Sequence, residues 1–372
     1  MKLGFLVNDI NANGGVERVV ITLANKLSKE YKYKVKIISL RQSDNKCIYN
    51  INKDVEITFL NYKEKGKNSF QLCFNEFNFI RKKIKNEDID VLISTTTFHN
   101  VYLAILKPFL KYKVIATHHE EYSSDTEKWN RLKKIFYKNL DAVVLLTQSD
   151  FNIYKKYNKN CYVIPNAIPF KSKYMYDVNS KKIITVSRLS IEKSIDYSIR
   201  AFSKLANKYP EWSMEIVGDG TDKERLLSLI NDLSLNDRIK ITGFCSNVIE
   251  KYKTAAFTVL TSQKEGFGCV LIESNAVGVP VISFDNIGPK EIIKNGFNGF
   301  LVEKNNEEQL KEIMDKMIYD NDMRLRLSQN SYKNSNIYSI NNICDKWNKI
   351  LKKFFNIKGV KQGESKCYCS CL

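Results

Sequence analysis

Two carboxylates, Glu265 and Glu273, flank a glycine-containing loop in the stretch TSQKEGFGCVLIESNAVGVPVISF, residues 261–284. The apolar run from Thr254 to Leu260 ends at this loop. A helix is expected from Cys269, stopped by Gly278 and Pro280 and followed by a strand over Val281–Phe284. Gly266 and Gly268, on either side of Phe267, leave the backbone free to approach a ligand closely. The amides of Gly268, Cys269 and Val270 then stand at a helix N-terminus, where unpaired donors and the helix dipole favour an anion. An anion cradle with one acid before it and another one turn into the helix suits a phosphate whose attached groups carry hydroxyls. The competing reading is a buried βαβ crossover whose two acids are merely solvated.

Further candidates lie just after strands. Arg188 and Lys193 follow one, and a pair of cations there would stabilise charge developing on a departing diphosphate. The bland alternative is a basic surface loop. His118 and His119 follow the strand Val114–Thr117, in a chain with only three histidines. One of them suits a hydrogen bond to a sugar hydroxyl or the reacting phosphate, and His118 is the better candidate for a structural role. His99 is read as part of a loop over Thr95–Asn100. Asp88-Ile89-Asp90 matches a D-x-D metal pattern, but it precedes a strand and so faces away from the ligand edge; no metal is expected. Nor does any Cys/His cluster in the folded body have zinc spacing.

These loops need a scaffold that gathers strand ends. Strands are expected over residues 2–7, 35–40, 55–60, 91–94, 114–117, 142–146 and 162–164, with helical patterns between them. The first helix, GVERVVITLANKLSK, follows the pair Gly14-Gly15, and G-x-G-x-x-G is absent, so no dinucleotide fingerprint is supported. After Pro165 and Pro169 the strand–helix alternation restarts at Ile183 and passes through the loops at Gly218 and Gly243. The fold class is therefore α/β, two doubly wound parallel-sheet domains across a cleft. Residues 1–170 form the first domain, 171–336 the second, 337–356 a C-terminal helix, and 357–372 a disordered tail holding Cys367, Cys369 and Cys371.

A chain of 372 residues, 43% hydrophobic and 27% charged, can bury large cores. Its net charge of +18, heavier in the N-terminal half, favours anionic partners without choosing among them. Nine scattered cysteines suit a reducing compartment with free, buried thiols. The opening MKLGFLVNDI carries too short an apolar run for a signal peptide, and Lys107 and Pro108 interrupt the best membrane-span candidate. The basic stretch from Lys128 to Lys138 has Trp129, Leu132 and Phe136 on one side, either to lie on an anionic membrane or to pack inward.

Taken together, GGVERVVITLANKL, VIPNAI, VSRLSIEKS, IVGDG and EGFGCVLIESNAVGVPVIS resemble the retaining glycosyltransferases of family 4, of GT-B fold, over nearly the whole folded length. The resemblance implies that Glu273 binds the ribose of a nucleotide and Glu265 the donor sugar's hydroxyls. It makes Arg188 and Lys193 the diphosphate clamp and places Gly218 and Gly243-Phe244-Cys245 around the nucleotide. It likens His119 to the family's histidine, lets Gly14-Gly15 approach the phosphates or acceptor, and carries the C-terminal helix back onto the first domain. Ser187 and Ser194 stand where the family often has glycine, and Thr117-His118 where it has Ser-Glu.

The expectation is thus a metal-independent retaining transferase. It uses a UDP-sugar as substrate, needs no cofactor, and glycosylates a glycan or polyprenyl-pyrophosphate-linked acceptor in cell-surface glycan biosynthesis. Its expected place is the cytoplasm, peripherally on an anionic membrane face, with no nucleic-acid partner. An epimerase or phosphorylase on the same fold would differ in sugar turnover without acceptor. A non-catalytic basic adaptor would show salt-sensitive nucleic-acid binding and no UDP affinity.

Overall fold

The computed structural model describes residues 1–354 apart from 13 and 246. Seven parallel strands form the first sheet: β1 (Lys2–Val7), β2 (Lys34–Ser39), β3 (Val55–Phe59), β4 (Val91–Ser94), β5 (Lys113–Thr117), β6 (Ala142–Leu145) and β7 (Cys161–Val163). Their spatial order is β3-β2-β1-β4-β5-β6-β7. Six more form the second sheet: β8 (Lys182–Val186), β9 (Ser213–Val217), β10 (Ile239–Ile241), β11 (Phe257–Leu260), β12 (Val281–Phe284) and β13 (Gly299–Val302). They run in the order β10-β9-β8-β11-β12-β13, again all parallel. The VLIS strand, and β1 from Leu3 on, are buried at every position because helices cover both faces of each sheet. Each sheet reverses its winding once, between β1 and β4 and between β8 and β11, and a crevice opens beyond the strand ends there. The helix Thr97–Leu106 contains His99, so that residue is not in a loop; its ring is buried.

The last helix, Ile340–Phe354, leaves the second domain. It presses Ile343, Cys344, Trp347, Ile350 and Leu351 into the first domain's core, against Val20, Leu23 and Leu27 of the helix Gly15–Lys29. Tyr31 donates to Asp345 at 2.6 Å and Tyr33 donates to Asn348 at its edge. The two chain crossings run side by side, joined by the Ile168 amide bonding to the Tyr338 carbonyl at 2.9 Å. In the second domain the buried Arg324 donates to the Met317 and Ile318 carbonyls at 2.6 and 2.8 Å, satisfying the orphan acceptors at the end of the helix Glu307–Tyr319.

The basic stretch folds as the helix Glu127–Phe136 and packs inward: Trp129 meets Phe98 edge-on at 4.8 Å, and Leu132 and Phe136 join the core. Lys133 is fully buried on this face, its charge held by Asp125 and its ammonium bonded to Tyr154 at 2.9 Å. A face that seals in a neutralised lysine cannot also lie on lipid. Of the thiols in the described residues, Cys161 and Cys344 are buried, whereas Cys47, Cys73, Cys245 and Cys269 are half-buried. Asp88 pairs with Lys2, and Asp90 accepts the Lys2 amide at 2.8 Å, so both serve the entry of a strand. The cysteine-containing tail lies outside the described residues.

Trp347 is 5% exposed and belongs to a helix that the first domain cannot supply for itself. Trp347→Ala is expected to destabilise the first domain by about 3–5 kcal/mol, seen as a lower midpoint in chemical denaturation. An unchanged midpoint would mean that the helix only rests on the domain.

Candidate active site

The loop after β11 is fixed from behind before it meets any ligand. Asn286 donates its side-chain amide to the Ser262 carbonyl at 2.7 Å, and the Gly288 amide donates to the Glu265 carbonyl at 3.1 Å. A side chain at Gly288 would sit 2.4 Å from the Phe267 Cα, so only glycine lets the two segments pack this closely. The Phe267 ring is 2% exposed and meets Tyr338 edge-on at 5.8 Å. Expected in the donor site, that ring is instead a core anchor, and Phe267 has only backbone to offer a ligand. Gly268 adopts φ 94°, the left-handed turn that starts the helix Cys269–Ala276. The amides of Gly268, Cys269 and Val270 precede the first helical bond, from the Leu271 amide to the Gly268 carbonyl at 2.9 Å.

The loop after β8 comes alongside. Lys193 donates to Glu265 at 2.9 Å, and the Gln263 amide donates to the Glu192 carbonyl at 2.8 Å. Ser194 takes the left-handed conformation at φ 45°, the physical reason a glycine would be at home there. Arg188 does not join Lys193 at Glu265. It is 71% exposed and bonds to Glu192 at 2.8 Å, at the lip of the crevice. Gly218 lies under this loop, since a Cβ there would fall 1.8 Å from the Ser187 carbonyl oxygen, and its amide donates to the Gly243 carbonyl at 2.8 Å. Gly243 has φ 72° with open space around it. Next to it, the exposed Phe244 and half-buried Cys245 line an open cleft of about 1110 Å³ that also reaches Arg18 and Phe170.

Glu273 is 1% exposed and forms an ion pair with Arg18, from the helix Gly15–Lys29 of the other domain. Its second oxygen, Oε2, is buried with no partner among the described residues. Burial pushes the Glu273 carboxyl up, opposed by the Arg18 guanidinium. Sequence patterning missed Arg18, because a basic residue on an otherwise amphipathic helix carries no signal of what it will face. Asn166 also reaches across, bonding to the Cys269 Sγ at 3.3 Å, and burial raises that thiol to about 12, leaving it unreactive. Gly14 caps the Gly15–Lys29 helix, its amide donating to Glu17 at 3.0 Å, while Gly15 faces open space.

From the first domain, the loop after β5 presses against the glutamate loop. A side chain at Gly266 would lie 2.9 Å from the His119 carbonyl oxygen and 3.0 Å from the Glu120 Cα. His119 bonds Thr117 through Nε2 at 3.1 Å, and its Nδ1 is enclosed with no partner among the described residues. Burial lowers its pKa to about 4, so the ring is neutral near pH 7. His118 turns the other way, into the core, bonding Tyr137 at 3.0 Å and Tyr154 at 3.3 Å. Of the two histidines, His119 is the one at the crevice. Among the described residues no group of three or more His, Cys, Asp or Glu side chains is gathered to hold a metal ion.

The geometry sets the amides of a helix start beside the Lys193–Glu265 pair, an arrangement suited to an anion. The family model described as Glycosyltransferase Family 4 matches residues 13–171, and that described as Glycosyl transferases group 1 matches residues 169–334. An uncharacterized glycosyltransferase of Haemophilus influenzae is 30% identical over 94% of this chain and 99% of its own length. The Campylobacter jejuni GalNAc-alpha-(1->4)-GalNAc-alpha-(1->3)-diNAcBac-PP-undecaprenol alpha-1,4-N-acetyl-D-galactosaminyltransferase is 27% identical over 96% of this chain and 99% of its own. Among solved structures, the pneumococcal O-GlcNAc transferase GtfA in complex with UDP and GlcNAc superposes with a TM-score of 0.77 at 14% identity, over 95% of this chain and 99% of that one. The two facing parallel sheets are a GT-B fold, and the chain belongs to the glycosyltransferases that join a Family 4 domain to a group 1 domain.

Proposed function

We propose that this glycosyltransferase moves a hexose or N-acetylhexosamine from a UDP-sugar to a lipid-linked or polysaccharide acceptor in cell-surface glycan assembly, retaining the anomeric configuration without a resident metal. The observation that carries this reading is the Lys193–Glu265 pair at 2.9 Å beside the Gly268 turn, with His119 pressed against the same loop. UDP is supported by its presence in the pneumococcal neighbour, and a polyprenyl-linked acceptor by the printed name of the Campylobacter relative.

In this reading the donor's diphosphate lies at the free amides of Gly268, Cys269 and Val270. Lys193 supplies positive charge where the leaving group forms, and Arg188 closes on it from the lip. Fixed donors and charges of this kind cost no reorganisation as the bond breaks. Glu265 and the neutral His119 orient the sugar. The acceptor hydroxyl attacks on the face from which the diphosphate departs, and a departing phosphate oxygen takes its proton. The new bond therefore has the configuration of the old one. A membrane surface is supported on the first domain. Phe70 and Phe74, 73% and 55% exposed, stack on the helix Ser69–Ile84, directly after the exposed Lys63, Lys65 and Lys67. No helix among the described residues is long and apolar enough to cross a membrane.

Glu265→Gln and Lys193→Ala are each expected to lower turnover by at least about 100-fold with melting temperature little changed, measured by product mass from a nucleotide-sugar screen on membrane extracts. Full turnover by either variant would overturn the site. Arg18 occupies the carboxylate proposed for ribose, so Arg18→Ala is expected to bind UDP about tenfold more tightly by calorimetry while melting earlier without it. Weaker UDP binding would instead make Arg18 part of the donor site.

A further inference from the structure

A second pocket, of about 550 Å³, opens in the first domain beyond the ends of β4 and β5 and shares His119 with the crevice. That volume suits a saccharide unit. Three enclosed polar atoms on its wall have no partner among the described residues: Arg41 Nε, Thr96 Oγ1 and His99 Nδ1. His99 is 2% exposed, so this nitrogen is a buried polar atom on a residue that lines the cavity. Enclosed polar atoms normally find a hydrogen-bonding partner, and these, from the two segments that follow β2 and β4, favour an occupant that brings hydroxyls.

The charge on the wall decides which kind. Arg41 is taken up by two carboxylates, Glu64 at 2.8 Å and Glu76 at 2.9 Å, and Glu76 also stands 3.6 Å from the His99 Nε2. On the facing wall Asp125 is spent on the buried Lys133. Among the described residues the lining therefore offers carboxylates that accept from hydroxyl pairs but no uncommitted cation for a phosphate or uronate. Trp129 and the half-exposed Phe98, packed edge to face at 4.8 Å, add an apolar side for the carbon face of a sugar ring or an N-acetyl methyl.

Resting on the donor reading above, we infer that this pocket selects the acceptor: it holds an uncharged terminal sugar, plain or N-acetylated, and rejects acceptors ending in a uronic acid or a polyol phosphate. His119 lies on its wall and against the glutamate loop, which brings a hydroxyl of the bound sugar to the donor.

The test is saturation-transfer NMR on the full chain with methyl glycosides of glucose, galactose, GlcNAc and GalNAc, alongside methyl glucuronide and glycerol phosphate, with UDP titrated in the same samples. At least one neutral glycoside is expected to bind and the two anions to give no signal. Trp129→Ala should weaken the neutral glycoside at least about tenfold with UDP affinity unchanged. The double variant Glu64→Gln/Glu76→Gln, which frees Arg41, should gain binding of methyl glucuronide. Anions binding as well as neutral glycosides, or neutral binding that survives Trp129→Ala and the double variant unaltered, would overturn the inference. UDP bound with every glycoside ignored would overturn it alone. Absent UDP binding would sink the donor reading, and the glycoside arms would still decide the pocket.

Discussion

A carboxylate that is 1% exposed cannot remain ionised without a cation, and Glu273 finds its cation in the other domain. Breaking a buried ion pair by removing one partner costs several kcal/mol, so Arg18 ties the two domains together wherever Glu273 is otherwise unfilled. The remaining Glu273 oxygen, enclosed and unpartnered among the described residues, leaves acceptor capacity for a ligand's hydroxyls. In the donor reading proposed above, a nucleotide at Glu273 would have to replace what Arg18 gives up.

The rest of the crevice is built by close backbone approach. Gly266 lies against the His119 and Glu120 backbone, Gly288 against Phe267, and Gly218 against Ser187. At each of these contacts a Cβ would collide with main chain, which cannot move aside as a long side chain can. The loops are further pinned by Asn286 and by the Gly288 amide, so Glu265 is presented on a stiff support. Such a support holds the charges of the site before substrate arrives.

The first domain is not closed by its own sequence. Its core is completed by Trp347 and its neighbours on the last helix, and the two chain crossings pair beside each other. The wall of the second pocket is assembled from the inward-facing helix at Trp129, the buried His99 and the Arg41 cluster. Its polarity is a property of that assembly and of no single segment.

Much of the scaffold was legible in residue order. Apolar runs broken by glycine loops and helical periods marked the seven strands of the first sheet to within about a residue, because burial on both faces forces continuous apolar strands, whereas in the second sheet β13 (Gly299–Val302) was not read as a strand. The Glu265–Glu273 stretch showed its helix start and stop for the same kind of local reason: Gly268 and Gly278 both need positive φ. What the sequence could not contain was pairing across distance. It did not show that Arg18 would meet Glu273, that Arg188 would settle on Glu192 while Lys193 reached Glu265, or that His118 would turn inward and His119 outward. Nor did it show which way the Lys128–Lys138 helix would face, since periodicity marks an apolar stripe but not its neighbour. Local order determined the strands, the turns and the ligand edge. Only tertiary packing, within each domain and between the two, decided which charges are buried together, because the cost of burying a charge depends on groups brought near by the fold.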